Sequence, residues 1–599
     1  MIYKLNKILC ASLLSYSLLA IGSPISPEQA IKRVRNSSNR ISSQLKSVPT
    51  NIFTVTEGDI PTLYLVDFGD KTLCLSADDA VTPLLGYMDT TCDNEKFPPA
   101  FKSWLSDISS EILLVSTNRK ECRKSRRDNE FSSIPPLCKT EWSQDEPYYN
   151  RCPKNVKEGK RCYTGCVATA MAQVMKYHNW PASGEGSISY TTNIGTGNIE
   201  LRLDFSAQVY DWNNMLDTYV LGEYTDAEAD AVAFLMKSCG YSVEMNYSTT
   251  GSGALSPRIG YALGEYFKYD KSKLRYMIRD CFSLDEWEEI IYSSLKNYGP
   301  VILNGQSNDG GHSFVCDGYD KDGYFHINWG WGGVSDGYYL LNVLDPYNQG
   351  IGGSGDNSGF NYMQDAIIGI TPAKDPEKNG EDSWIGQMYS NGELGIKTGD
   401  VYSIGEETGE LCEDGVYNYG PAALPADMIF GLLFRSEDNG EIYIYPAAVG
   451  EPVALYYGFS SFTLPLPEDI PEGTYRVTLS YYSESYANSN AGNKMNARPD
   501  APNEPPRSDS DDNPPTYEDG WIDVYFPEDV PASYTAYVKD GTIRFEESLW
   551  RPSDVIEFKI AHDDSLKYYN LQGLQIDSPA PGQIVIMKRG DKVSKFIAK

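Results

Sequence analysis

Apolar and polar positions alternate through residues 52–90, and the run Leu63-Tyr64-Leu65-Val66-Asp67-Phe68-Gly69-Asp70 ends in a Gly-Asp turn, which predicts strand-turn-strand. Residues 24–48 before it read as polar and helical, and residues 98–115 after it give another helical stretch. Further helical patterns cover 166–178, 226–239 and 284–297. Residues 313–319 and 324–329 read as two strands joined by Asp320-Lys321-Asp322-Gly323, a hairpin turn sequence. Two Gly/Ser tracts, Thr250-Gly251-Ser252-Gly253 and Gly350 to Gly359, cannot pack a core and predict surface loops. Past Thr371-Pro372, residues 385–480 break into short β-rich segments between Gly, Pro, Asn and Asp turns, which predicts a β-sandwich. The acidic, Pro-rich stretch 498–519 predicts a disordered insertion, with strands resuming at 521–526 and 555–560. Tyr569 to Ile586 ends the pattern as a small strand-turn-strand module.

A chain of 599 residues is too long for one core and predicts several domains. Its net charge of −32 argues against nucleic acid, since phosphate would be repelled, and fits a well-solvated extracellular surface. The first residues read as an export signal. Lys4 and Lys7 precede the apolar run Ile8 to Ile21, and Ala20 and Gly22 place a cut before Ser23. That run falls short of the ~20 residues a membrane span needs, and no later stretch qualifies, so a secreted or surface location is expected. Export permits disulfides, and Cys92–Cys122 and Cys152–Cys162 are candidate local pairs. With no CxxC pair and no HExxH, neither a metal nor a cofactor is expected. The cations Arg119, Lys120, Arg123, Lys124, Arg126 and Arg127 form a basic run in an acidic protein, which fits either a solvated loop or a proteolytic activation site.

Cys166 follows Gly165 at the head of a helix-compatible run, where the partial positive charge of a helix N-terminus favours a thiolate. Four histidines could serve it as base: His178, His312, His326 and His562. His178 would lie ~18 Å along the same helix and His562 is in the distant tail. Folding the hairpin returns 328–331 beside His312 and leaves His326 ~13 Å up the strand. His312 is thus the expected general base, with Asn328 holding its ring, Trp329 covering that bond, and Gly310-Gly311 making room for a substrate backbone. The Cys166 backbone N–H is one oxyanion donor, and the Gln144 side chain is a candidate for the second.

The stretches Thr164-Gly165-Cys166-Val167-Ala168-Thr169-Ala170, Gly311-His312-Ser313-Phe314-Val315 and His326-Ile327-Asn328-Trp329-Gly330-Trp331-Gly332-Gly333 resemble the streptopain (C10) family of cysteine peptidases, which includes interpain- and periodontain-type enzymes. The resemblance covers about 24–373. It implies an α+β architecture: an inhibitory pro-domain over 23–130 after a signal over 1–22, then a papain-like catalytic domain over 131–373. It also implies Cys166 as nucleophile, His312 as general base and acid, Gln144 in the oxyanion hole, and Asn328-Trp329 behind the histidine. Gly165, Ser252, Gly253 and Gly311 would line the substrate cleft. Beyond it, 374–560 is expected to be β-rich and 561–599 to form a tail module similar to those on secreted proteins of Gram-negative anaerobes, with a role in secretion or surface contact. The expected activity is a secreted endopeptidase made as a zymogen, acting on proteins and peptides and inhibited by its own propeptide. The competing readings are a surface adhesin with a relic peptidase fold, and a thiol acyltransferase or amidase.

Overall fold

The computed structural model describes residues 24–118 apart from 38–39, 46 and 92; 131–341 apart from 196 and 308–309; 364–374 and 379; 387–482 apart from 422, 425–427, 449–452 and 455–456; 521–548 apart from 528–529; and 567–569, 575–576, 584–589 and 592–597. The expected signal, the basic run, the tract 350–359, the acidic stretch 498–519 and the strand 555–560 lie outside these residues, as do Cys10, Cys92, Cys122 and His562.

The described residues contain seven α-helices: α1 Pro27–Arg35, α2 Arg40–Gln44, α3 Pro99–Asn118, α4 Cys166–His178, α5 Asp226–Ser242, α6 Arg258–Tyr266 and α7 Leu284–Tyr298. Helices α1, α5 and α7 open on capping boxes, Ser26 with Gln29, Thr225 with Glu228 and Ser283 with Glu286, which consume their first N–H groups. Helix α4 differs: its N-cap is Gly165, which has no side chain to offer, so the first-turn N–H groups stay available.

A ten-stranded antiparallel sheet organises the first half of the chain. Its order is Asn51–Glu57, Ile60–Asp67, Thr72–Ser76, Leu84–Met88, Gly337–Tyr339, Phe325–Asn328, Gly310–Tyr319, Val301–Ser307, Asp365–Ile368 and Arg275–Ile278. The alternating stretch 52–90 supplies the first four strands, but they do not form a sheet of their own. Tyr87 pairs with Tyr338 and Gly86 with Tyr339, so the N-terminal strands extend the central sheet. Only glycine fits at 86, because a Cβ there would lie 2.7 Å from the Tyr338 carbonyl oxygen. Helix α3 buries Phe101, Trp104, Ile108 and Ile112 on one stripe. Phe101 packs on Trp329 at 5.7 Å between ring centroids, and Trp104 on Tyr339 at 4.7 Å, while Trp104 Nε1 donates to the Leu340 carbonyl.

Residues 387–548 form two further sheets. One has strands Met388–Ser390, Val416–Asn418 and Gly458–Phe459. The other has seven strands and is centred on Gly473–Tyr482 between Ile429–Ser436 and Ser533–Lys539. They share one apolar core that includes Met388, Val416, Phe430 and Leu479. This region meets the edge strand Arg275–Ile278: Tyr276 N–H donates to Gln387 Oε1, and the Tyr389 hydroxyl donates to the Tyr276 carbonyl. A separate compact unit from 554 onward holds a four-stranded antiparallel sheet of Gln575–Ile576, Lys567–Tyr569, Ile584–Arg589 and Lys592–Ile597.

One expected disulfide is corrected. Cys152 and Cys162 are both free thiols. Burial pushes the Cys152 thiol up to about 12.

Candidate active site

Cys166 is the first residue of α4. The turn into it requires glycine at 165, where φ is 88° and a Cβ would lie 2.8 Å from the Met245 side chain and 2.9 Å from the Ser252 carbonyl. The helix start therefore presses against the loop that carries Ser252 and Gly253. That loop is held in place: the Ser252 hydroxyl donates to the Tyr163 carbonyl at 2.7 Å and accepts from Ser248 N–H at 3.0 Å, and Asn246 and Gly253 exchange backbone bonds. Thr164 N–H donates to the Gln144 carbonyl at 3.2 Å, which sets the half-buried Gln144 beside the same helix start.

The strand Gly310–Tyr319 meets the other side of the sulfur. Cys166 Sγ lies 3.9 Å from the Gly311 carbonyl oxygen and within hydrogen-bonding reach of the Ser313 N–H and hydroxyl. His312, partly exposed, stands between these two residues and pairs with Gly305 across the strands. Neighbouring residues of a strand project to opposite faces, so the side chain turned toward the sulfur here is that of Ser313. Burial pushes the Cys166 thiol above its ordinary value, against the pull of the N–H groups of Ser313, Val167 and Cys166 itself. The helix N-terminus helps the anion, as the sequence suggested, but desolvation wins in this form of the chain.

Asn328 sits level with Val315, three residues along the strand from His312. Its amide is held in a buried network. Asn328 Oδ1 accepts from Gln173 Nε2 at 3.0 Å and from Gly330 N–H at 2.9 Å, and Nδ2 donates to the Thr140 carbonyl at 2.7 Å. Trp329 is buried among Phe101, Phe314 and Tyr339, and its Nε1 donates to the Ser335 carbonyl. The strap leading into this region pairs Ile134 with Tyr319 and passes the base of the hairpin, where Cys138 N–H donates to Asp317 Oδ2.

The other two described histidines have different surroundings. His178 closes α4, packs on Tyr177 and Tyr269, and is pushed down to about 4 by burial. It is therefore neutral near pH 7 and contributes packing at the end of α4. His326 Nδ1 lies 2.6 Å from Asp317 Oδ1. Burial works against its charged form, but Asp317 outweighs burial and raises it.

Sequence reasoning missed three residues. Gln173 is buried, bonds Asn328, and accepts from the Thr140 hydroxyl and Trp142 N–H. Its signal was available, since it lies seven residues after Cys166 and so on the same helix face. Ser313 and Asp365 are the others, and their relation appears only once strands are paired.

Residues 142–339 match the Peptidase C10 family. The chain is 33% identical over 338 residues to the thiol protease/hemagglutinin PrtT of Porphyromonas gingivalis and 39% identical over 243 residues to streptopain of Streptococcus pyogenes. These alignments cover 54% and 39% of this chain, but only 38% and 60% of the relatives' own lengths. Among solved structures, a prointerpain A fragment from Prevotella intermedia is 34% identical, with 54% of this chain and 99% of that one covered and a TM-score of 0.47. Active interpain A from the same organism is 36% identical, with 42% and 100% covered and a TM-score of 0.36. The Cys166 and His312 segments both lie inside the matched region, so this stretch of the chain resembles the C10-type cysteine peptidases.

Proposed function

We propose that this protein is a cysteine endopeptidase, exported and made as a zymogen, that cleaves peptide bonds through a thioester on Cys166. His312 acts as general base toward the thiol and then as general acid toward the leaving amine. The Cys166 N–H and the Gln144 side chain receive the developing oxyanion. Asn328 and Trp329 build the wall behind the histidine, and Gly165, Gly311, Ser252 and Gly253 line the path of the substrate backbone. The observation that carries this reading is the meeting of the uncapped α4 N-terminus with the strand residues on both sides of His312, 146 positions later in the chain.

Residues 24–118 are the inhibitory segment in this reading. Their docking through Phe101, Trp104, Gly86 and Tyr87 onto the sheet that carries the histidine, together with a thiol held protonated by burial, supports a silent form. Activation then requires a cut between about 118 and 140 and a turn of the imidazole to the sulfur. The test is Cys166→Ala in the full chain. Peptide hydrolysis and self-processing should both vanish while the circular dichroism is unchanged, and His312→Ala should behave alike. A Cys166→Ala chain that still matures in isolation refutes the assignment.

The name of the Porphyromonas relative pairs protease with hemagglutinin. A binding role for residues 387–548 is compatible with the peptidase reading and does not replace it.

A further inference from the structure

Gln173 is fully buried on α4, on the same helix face as Cys166. Its side chain meets two other parts of the chain. Oε1 accepts from the Thr140 hydroxyl at 2.9 Å and from Trp142 N–H at 3.3 Å, both on the strap that leads to Gln144. Nε2 donates to Asn328 Oδ1 at 3.0 Å. Asn328 Oδ1 also accepts from Gly330 N–H at 2.9 Å, and its Nδ2 returns to the strap by donating to the Thr140 carbonyl at 2.7 Å. Thr140, Trp142, Gln173 and Asn328 are all buried, so these bonds form in the interior.

We propose that Gln173 is a positioning residue of the reaction: it fixes which way round the Asn328 amide faces, and through that amide it sets the support of His312. The inference rests on the reading of Cys166 and His312 as the catalytic pair with Asn328 behind the histidine.

The sense of the network comes from backbone groups, which cannot exchange roles. Trp142 and Gly330 present N–H, and Thr140 presents a carbonyl. The Trp142 N–H requires an oxygen at that end of Gln173, so Gln173 turns its NH2 to Asn328. That NH2 and the Gly330 N–H both require the oxygen of Asn328, and the Thr140 carbonyl requires its NH2. A flipped Asn328 would set its NH2 against two donors and its oxygen against a carbonyl. The orientation matters for catalysis because it decides whether a ring nitrogen beside the amide meets a donor or an acceptor. Position is fixed along with orientation. Gly330 has a φ of 67°, and a Cβ there would lie 3.2 Å from the Thr169 side chain, so the turn after Asn328 lies directly against α4. The Trp142 indole is pinned as well, donating to the Leu216 carbonyl at 2.9 Å. One amide therefore ties the helix of the nucleophile to the strap of the oxyanion candidate and to the strand that backs the histidine. Glutamate fills the same volume but has no donor for Asn328 when ionised, and methionine has none at any pH.

The test is Gln173→Glu, with Gln173→Met beside it, each made in the full-length chain. The chains are processed by a trace of tagged wild-type enzyme, which is then removed by its tag. The kcat and KM for a short peptide are measured from about pH 5 to about pH 8, per Cys166 thiol titrated with an alkylating agent, so that unfolded chain is not counted. The groups bonded to Gln173 are neutral. The titratable groups on the surrounding elements include Glu141 of the strap, His178 of α4, His312 and Asp317 of Gly310–Tyr319, His326 of Phe325–Asn328, and Asp336. They are common to wild type and variants, so each variant is read as its ratio to wild type at the same pH. Burial and the facing Asn328 oxygen raise a carboxyl at 173, and only its protonated form can donate as the amide does. The kcat of Gln173→Glu should therefore be about 10- to 100-fold below wild type near pH 8, with KM little changed, and within about threefold of it near pH 5. Gln173→Met should fall by a similar factor at both ends. A Gln173→Glu ratio that stays flat with pH overturns the proposal. So does a Gln173→Met kcat within about twofold of wild type, and this variant decides alone if Gln173→Glu does not fold. A wild-type chain that hydrolyses nothing sinks the peptidase reading and this inference with it, whereas an active wild type with a flat ratio sinks this inference alone.

Discussion

Trp104 of α3 is the anchor whose removal should loosen the N-terminal segment. It is 8% exposed, and three contacts fix it: stacking on Phe101 of its own helix at 5.8 Å, an edge contact with Tyr339 at 4.7 Å, and the Nε1 bond to the Leu340 carbonyl at 3.2 Å. A buried Trp→Ala change costs about 3–5 kcal/mol. Two of the three contacts cross from α3 to the strand Gly337–Tyr339 and its continuation, so about 2–3 kcal/mol of that should fall on docking. At about 1.4 kcal/mol per tenfold, the undocked state becomes roughly 30- to 150-fold more populated. The assay is amide hydrogen exchange over α3 in full-length Cys166→Ala protein, with and without Trp104→Ala, so that no self-cleavage intrudes. Protection along α3 should fall by that factor while protection along α4 stays unchanged. In the catalytically intact chain, the same substitution should speed self-processing. If α3 protection changes by less than about threefold, the docking energy does not reside in this contact and the reasoning is wrong.

Three further outcomes are expected. Asn328→Ala leaves Gln173 Nε2, Gly330 N–H and the Thr140 carbonyl unpaired in the interior, so stability should drop by about 2–4 kcal/mol in urea unfolding, with turnover weakened but not abolished. Asp336, half-buried and bonded to Trp329 N–H, is pushed up to about 7 by desolvation. A raised acid loses folding free energy as pH climbs from its unfolded value near 4 to about 7, so Asp336→Asn should match wild type in unfolding free energy at pH 4 and exceed it at pH 7 by a few kcal/mol, at about 1.4 kcal/mol per unit. The 24–130 segment, expressed separately and folded by circular dichroism, should inhibit the processed enzyme, and an unchanged rate at high micromolar segment would remove the pro-domain reading.

What could be read from the residues depended on whether the signal was local. Gly165-Cys166 at a helix start is local: one glycine for the turn, then a run that propagates as helix. The hairpin after Gly310 is local too, because Asp320 to Gly323 spell its turn. The partner of Asn328 was not legible. A bulge between Cys316 and Gly318 shifts the register, and the amide is claimed by Gln173 and Thr140 from a helix and a strap that only tertiary contact brings near. The same limit hid the Ser313–Asn304–Asp365 row, which spans three strands and 61 positions from Asn304 to Asp365. Nor does alternation in 52–90 say which sheet those strands will join, since pairing partners leave no mark in a strand's own period.

The seam between the N-terminal strands and the rest of the sheet is only two residue pairs long, Tyr87 with Tyr338 and Gly86 with Tyr339. Elsewhere the ladders are longer: seven pairs join Val301–Ser307 to Gly310–Tyr319. A chain that parts with its first segment therefore breaks little backbone. The newly bared edge, Gly337–Tyr339, is three residues long. Sticky edges that template fibres need a long flat row of unpaired amides, and this one is too short to offer it. If the proposed activation removes that segment, the same brevity keeps this edge from serving as a row on which other copies could grow.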